Sequence, residues 1–149
     1  MISRVELLHA AQALCDDFAS KKDIDTLLSH FSTTHQCTLV EHGEPFLAPF
    51  LGRPFNGISG ALMYFDLINK HLSYENMRFS EYVVDVEARK VSVKGKAKFT
   101  WIETDESWDE TFAYMLDSDD ELKITDYQVW ADSGAAYLAS KGELGRSKG

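Results

Sequence analysis

The sequence predicts an α+β domain in which early helices cover one face of a curved antiparallel sheet. Three observations predict it. In the first half, apolar residues recur at helical spacing: Val5, Leu8, Ala11, Leu14, Cys15 and Phe18, then Ile58, Ala61, Leu62, Phe65, Ile68 and Leu72. From Met77 to Asp132 the period changes to two, as in strands with one buried face. The resulting order, two helices, a strand, a long helix and four strands, is that of an α+β layer structure. A chain of 149 residues suits a single domain with a sizeable core.

Taken in order, Ser3 and Glu6 form a capping box that opens a helix over 4–20. Asp23 caps a short second helix carrying Ile24, Leu27, Leu28 and Phe31. His35 to Glu41 reads as a strand. All three prolines, Pro45, Pro49 and Pro54, fall between His42 and Asn56 with Gly43 and Gly52, so this stretch is a loop. It also carries Phe46, Leu47, Phe50, Leu51 and Phe55, which suits a loop folded over the core or over a pocket mouth. Asn56 or Ser59 caps the third helix. Strands are expected over 77–87, 90–104, 107–116 and 122–132. Gly134 to Ser140 suits a last helical turn. The domain is expected to span 1–140, with 141–149 as a flexible C-terminal tail.

The net charge is −9 and the pI about 4.9, which argues against nucleic acid and anionic membrane surfaces as partners. No stretch approaches the ~20 apolar residues of a membrane span. The N-terminus lacks the apolar run of a signal peptide, so a cytoplasmic location is expected. Cys15 and Cys37 then read as reduced thiols.

The segment from Ser107 to Asp132 carries the most chemistry. Trp108, Glu110, Phe112, Tyr114 and Leu116 share one strand parity. Beyond an acidic turn, 117–121, the residues Leu122, Ile124, Asp126, Gln128, Trp130 and Asp132 share another. With the turn centred on Asp119, Trp108 would oppose Trp130, Glu110 would oppose Gln128, and Phe112 would oppose Asp126. A one-residue change of register would break this pairing. A wall that mixes indoles, a phenol, carboxylates and an amide suits a pocket for an apolar molecule with a few placed polar groups. On the preceding strand, Val91, Val93, Gly95, Ala97, Phe99 and Trp101 alternate with Ser92, Lys94, Lys96, Lys98 and Thr100. Trp101 is therefore expected on the inner side, with the lysine row outside.

The loop-into-helix segment from Gly52 to Leu72, with Phe55-Asn56-Gly57 and then Tyr64-Phe65, and the terminal strand from Leu122 to Asp132 resemble the NTF2-like superfamily, and within it the SnoaL-like branch. The resemblance covers nearly the whole chain. It implies a cone-shaped, curved antiparallel sheet packed against N-terminal helices. Superfamily members include isomerases, cyclases, dehydratases, epoxide hydrolases and non-catalytic binders. They share no invariant catalytic motif, so the resemblance carries no mechanism.

The residues themselves suggest roles. A Glu110 buried among rings would titrate near neutrality, and Asp126 would be the other half of an acid/base pair. His42 is a third candidate for proton transfer, with Glu41 able to orient it only if the chain turns. Tyr64 could donate to a developing oxyanion, or could simply be core. Trp101, Trp108, Tyr114, Gln128 and Trp130 would bind the ligand. The five histidines show no metal-ligand spacing, Gly57-Ile58-Ser59-Gly60 falls one residue short of a nucleophile elbow, and no cofactor loop is present. The sequence thus supports two readings. One is a cofactor-independent lyase or isomerase for an apolar oxygenated small molecule. The other is a non-catalytic ligand-binding or dimerisation module. No metal and no cofactor are expected. A homodimer is expected, paired through the parity that carries Thr111, Ala113, Met115, Tyr127, Val129 and Ala131.

Overall fold

The computed structural model describes residues 1–148, apart from the side chain of Ser147. Helix α1 (Arg4–Ala19) opens on the full Ser3/Glu6 capping box, and α2 (Ile24–Leu28) on Asp23. Strand β1 (Thr38–His42) leads through a single 3-10 turn, Pro45–Leu47, to the two-residue β2 (Phe55–Asn56). Helix α3 (Gly57–His71) runs straight into β3 (Leu72–Asp85), and β4 (Lys90–Trp101), β5 (Glu106–Ser118) and β6 (Ile124–Trp130) complete a meander. Two short helices follow, α4 (Ser133–Ser140) and α5 (Leu144–Lys148). Where a tail was expected, Leu144 is buried and its amide, with that of Gly145, donates to the Glu106 carboxylate. Gly149, the last residue of that expected tail, lies outside the described residues.

The sheet order is β2-β1-β6-β5-β4-β3. It is antiparallel except that β1 lies parallel to β6, with Glu41 opposite Val129 and His42 opposite Trp130. The expected all-antiparallel sheet is therefore mixed. Curvature enters through β3, whose register slips between Glu75 and Arg78 and again between Ser80 and Val83. Asn76 and Glu81 take left-handed backbone angles in those slips, and such bulges bend a strand. The inner faces of β4 and β5 are the expected ones. At Gly95 the Phe112 ring lies where a side chain would be, so a Cβ would sit 2.3 Å from its Cζ. Only glycine lets that ring lie flat on the sheet. Helices α1 and α3 pack on this inner face, and α4 closes one end against β4, β5 and the 3-10 turn.

The β5–β6 hairpin differs from expectation, and the difference decides the site. Tyr114 opposes Val129, Leu116 opposes Tyr127, and Ala113 opposes Trp130. Trp130 therefore sits an odd number of residues along β5 from its expected partner Trp108, which turns every β6 side chain to the other face. The cause is local. One Asp119 carboxylate oxygen accepts the amides of Glu121 (2.8 Å) and Lys123 (2.9 Å), and the other accepts the Ser32 hydroxyl (2.6 Å). The turn closes beyond Asp119 and moves the register by four, pairing Ser118 with Ile124, and a one-residue slip between Asp117 and Ser118 makes the offset five, the odd number that exchanges the faces.

Replacing Asp119 by Ala strands a buried hydroxyl and two amides. The expected loss is about 2 kcal/mol or more, the scale of hydrogen bonds to a charged group. Urea denaturation measures it, and amide exchange at Tyr127 and Val129 should accelerate with it.

Candidate active site

Between the inner sheet face and the helices lies a partly open cavity. Phe99, Trp108, Phe112, Tyr114 and Val129 form its sheet wall. Phe18 of α1, Tyr64 and Ile68 of α3, and Phe50 from the proline-rich loop face them. Ala131, solvent-exposed Asp132 and Ala136 of α4 stand at the open end. The loop was expected to fold over core or pocket, and it does both. Ala48, Phe50 and Leu51 are buried, while Phe46 stays 73% exposed with its ring edge against Tyr137. The space between the side chains, counted out to the mouth, is about 470 Å³. About 40 Å³ of that admits the centre of a water molecule. That is room for roughly three waters, so a larger ligand must displace side chains.

Two glutamates face each other's charge across this apolar space. Glu41 enters from β1 and is 8% exposed; Glu110 enters from β5 and is 9% exposed. Tyr64 donates its hydroxyl to Glu41 Oε1 at 2.7 Å. The Trp108 indole donates to Glu110 Oε1 at 2.9 Å, and the backbone amide of Asp132 reaches the same oxygen at 3.3 Å. Burial pushes the Glu41 carboxyl up to about 7 despite the Tyr64 hydrogen bond, and the Glu110 charge adds to the rise. Burial likewise pushes Glu110 up to about 7 against the donors Trp108 and Asp132, with the Asp132 charge raising it further. Among the described residues no lysine, arginine or histidine lines the cavity, so neither carboxylate has a counter-ion there. Such a pair suits proton transfer near neutral pH.

Of the residues singled out by sequence, Glu110, Trp108, Tyr114 and Tyr64 come together in the cavity. The Tyr64 hydroxyl is engaged by Glu41 instead of pointing at the ligand space. Trp101 is buried on the inner face but lies outside the cavity, stacked on His71 at 5.1 Å and close to Phe50. Asp126, Gln128 and Trp130 are corrected, because the hairpin register sends them to the opposite face, and so is His42, which β1 places opposite Trp130 on that face. There Gln128 bridges them, donating to Asp126 Oδ2 at 2.8 Å and meeting His42 Nε2 at 2.9 Å. His42 stacks on Trp130 at 4.6 Å, and Trp130 is 44% exposed. Conversely, Tyr127 and Val129, expected on an outer interface, are buried in the core. Glu41 was missed as a pocket residue. Its signal was present: it shares a strand parity with Leu39, so it was a carboxylate on an apolar stripe.

Solved structures superpose on this fold over nearly the whole chain. An NTF2-like protein of unknown function from Burkholderia pseudomallei superposes with a TM-score of 0.76 over 93% of this chain and 98% of its own, at 11% identity. The chain has the NTF2-like fold. TerC, crystallised with polyporic acid, matches this NTF2-like chain with a TM-score of 0.76 and 17% identity over 91% of it and 98% of TerC. The BvnE pinacolase from Penicillium brevicompactum matches with a TM-score of 0.68 and 17% identity over 97% of each chain. Identities this low carry the fold and not the activity. No family model matches the sequence, and no curated protein matches it. Among the described residues no His, Cys, Asp and Glu cluster could hold a metal ion, and no helix is long and apolar enough to cross a membrane.

The two raised carboxyls set a pH dependence of stability. Each binds its proton more tightly in the folded chain than at its ordinary value of 4.5. The folded state thus holds more protons than the unfolded one between there and about pH 7, and the slope of stability with pH is negative across that window. The contribution is fully present below the ordinary value and is lost as pH rises through about 7. Thermal melts from about pH 5 to about pH 8 should show this decline. Glu41→Gln should flatten it, raising Tm relative to wild type most at the alkaline end.

Proposed function

We propose that this NTF2-like protein binds an apolar, oxygenated small molecule and acts on it as a cofactor-independent lyase or isomerase. Acid/base chemistry by Glu110 and Glu41 is the basis of the reading. The observation that carries it is the pair of buried carboxyls in one aromatic cavity that lacks a counter-ion. Trp108 and Tyr114 would hold the ligand's apolar body, and Tyr64 would steady Glu41. Asp126 and His42, which face the other way, have no part in this chemistry.

The opposite sheet face supports a homodimer. There His42, Trp130 and Gln128 adjoin Ala113 and Met115 across the register, a patch of aromatic, amide and apolar side chains flanked by Asp126 and the lysine row. This patch replaces the Tyr127/Val129 surface, which is core. We further propose a cytoplasmic location, where the two buried free thiols, Cys15 and Cys37, would stay reduced.

Incubation of the protein with a panel of apolar ketones and hydroxyketones in heavy water tests the enzymatic reading. Deuterium should enter beside the carbonyl for at least one of them, or water should be lost. Glu110→Gln should slow that reaction by about 10²-fold or more. Binding without exchange or conversion across the panel, and equal binding by Glu41→Gln and Glu110→Gln, would leave a non-catalytic binder. For assembly, Trp130→Glu should shift the mass measured by light scattering from dimer to monomer without changing the melt. A wild-type monomer at micromolar concentration removes the dimer.

A further inference from the structure

Resting on the acid/base reading above, we infer that the two glutamates have fixed and opposite roles, Glu110 taking a proton and Glu41 giving one, because their hydrogen-bond partners differ in kind. Glu110 Oε1 accepts from the Trp108 indole at 2.9 Å and the Asp132 amide at 3.3 Å. Both are donors that can never accept. A proton on Oε1 would meet two donor hydrogens, so Oε1 stays an acceptor and Oε2 alone is left to receive a proton. Two fixed donors also favour the carboxylate.

Glu41 is held differently. Its partner is the Tyr64 hydroxyl at 2.7 Å, and a phenol can both donate and accept. The acid form of Glu41 can donate to the Tyr64 oxygen; the carboxylate can accept from the same oxygen. Tyr64 turns without moving its ring, which is locked edge-on between Phe55 and Phe65 and against Tyr127. Two like charges in one cavity without a cation do not both persist near neutrality. The proton that remains goes to the glutamate whose partner tolerates it, which is Glu41.

The groups that face the pair are few. Around Glu41 stand Tyr64 of α3, Tyr114 and Glu110 of β5, and Tyr127 of β6. Around Glu110 stand Trp108, Asp132 between β6 and α4, and Glu41 of β1. All the phenols are buried and remain protonated, so the carboxyls are the groups that titrate within the cavity.

The division names the substrate class and the step. The substrate is a neutral carbonyl compound with a hydrogen on the adjacent carbon, because an anionic one would meet a carboxylate and no cation. Glu110 Oε2 takes the proton from that carbon. The C–H pair becomes the new C=C bond, and the carbonyl π pair takes the proton of Glu41 to form the enol O–H. Glu110 ends as the acid and Glu41 as the carboxylate, now accepting from Tyr64. Where the substrate carries a further C=C bond conjugated with that enol, Glu110 gives its proton to the far carbon and the C=C pairs shift along the chain. The enol O–H pair re-forms C=O, and Glu41 takes back the enol proton, so the substrate is isomerised and both glutamates are restored. Tyr64 and Trp108 are thus positioning residues that act through the glutamates.

The test needs no substrate. With the glutamate side-chain carboxyl carbons labelled with 13C, NMR follows both groups through a pH titration, and Glu41→Gln and Glu110→Gln assign the two signals. Glu110 should ionise at the lower pH, and Glu41 should remain the acid at neutrality. Tyr64→Phe should raise the Glu41 midpoint, and Trp108→Phe the Glu110 midpoint, each by about one pH unit for a lost donor to a buried carboxylate. If Glu41 ionises first, or if each phenylalanine variant leaves its glutamate's midpoint in place, the assignment is overturned. Absent turnover with the titration as expected would instead sink the enzymatic reading and leave the proton distribution standing.

Discussion

What faces the cavity from β6 depends on one turn and the one-residue slip beside it, and the Asp119 carboxylate holds that turn. Its two oxygens gather two turn amides and a hydroxyl from the segment after α2. Burial alone would raise this carboxyl, but the Ser32 hydroxyl and the amides of Lys123 and Glu121 overcome that and hold it below its ordinary value. The same contacts tie the hairpin to the strand-entry loop, since the Ser32 amide donates to Ile124 and the Ile124 amide to His30. Because the side-chain period of a strand is two, an odd offset there exchanges whole faces. Tyr127 and Val129 go into the core, and Gln128 and Trp130 go to the outside.

The cavity is the second consequence of that register. With Val129 turned inward, β1 joins β6 in parallel and brings Glu41 opposite it. Glu41 thereby enters the space that Glu110 already occupies from β5. Carboxyls in such surroundings cost stability as they ionise, and each has hydrogen bonds that soften the cost. The surrounding rings, Phe18, Phe50, Phe99, Phe112 and Trp108, make the walls apolar, and burial among them sustains the raised proton affinity. A fold used for many chemistries has here been fitted with two proton-holding groups and no fixed cation. That combination favours neutral ligands.

The helices, the meander and most of the inner face were legible in the sequence because their causes are local. The Ser3/Glu6 box starts α1, and Asp23 starts α2. The period-two alternation of β4 and β5 put Trp108, Glu110, Phe112 and Tyr114 inside, and the lysine row outside. Glu41 was half-legible: its parity with Leu39 marked it, yet the adjacent histidine drew attention to the wrong side of the strand. Trp101 was assigned the right face but not its cover, since only packing puts Phe50 and His71 against it.

The sequence by itself determined which segments become helices and strands, which residues of β4 and β5 face inward, and that Glu110 sits among aromatic rings. Those outcomes follow from periodicity and capping, which act over a few residues. Only the tertiary structure decided the β5–β6 register, the parallel pairing of β1 with β6, and hence the partnership of Glu41 with Glu110. The physical reason is that these depend on hydrogen bonds between residues far apart in the chain. Ser32 meets Asp119, Tyr64 meets Glu41, and the Asp132 amide meets Glu110, and no local pattern encodes such meetings.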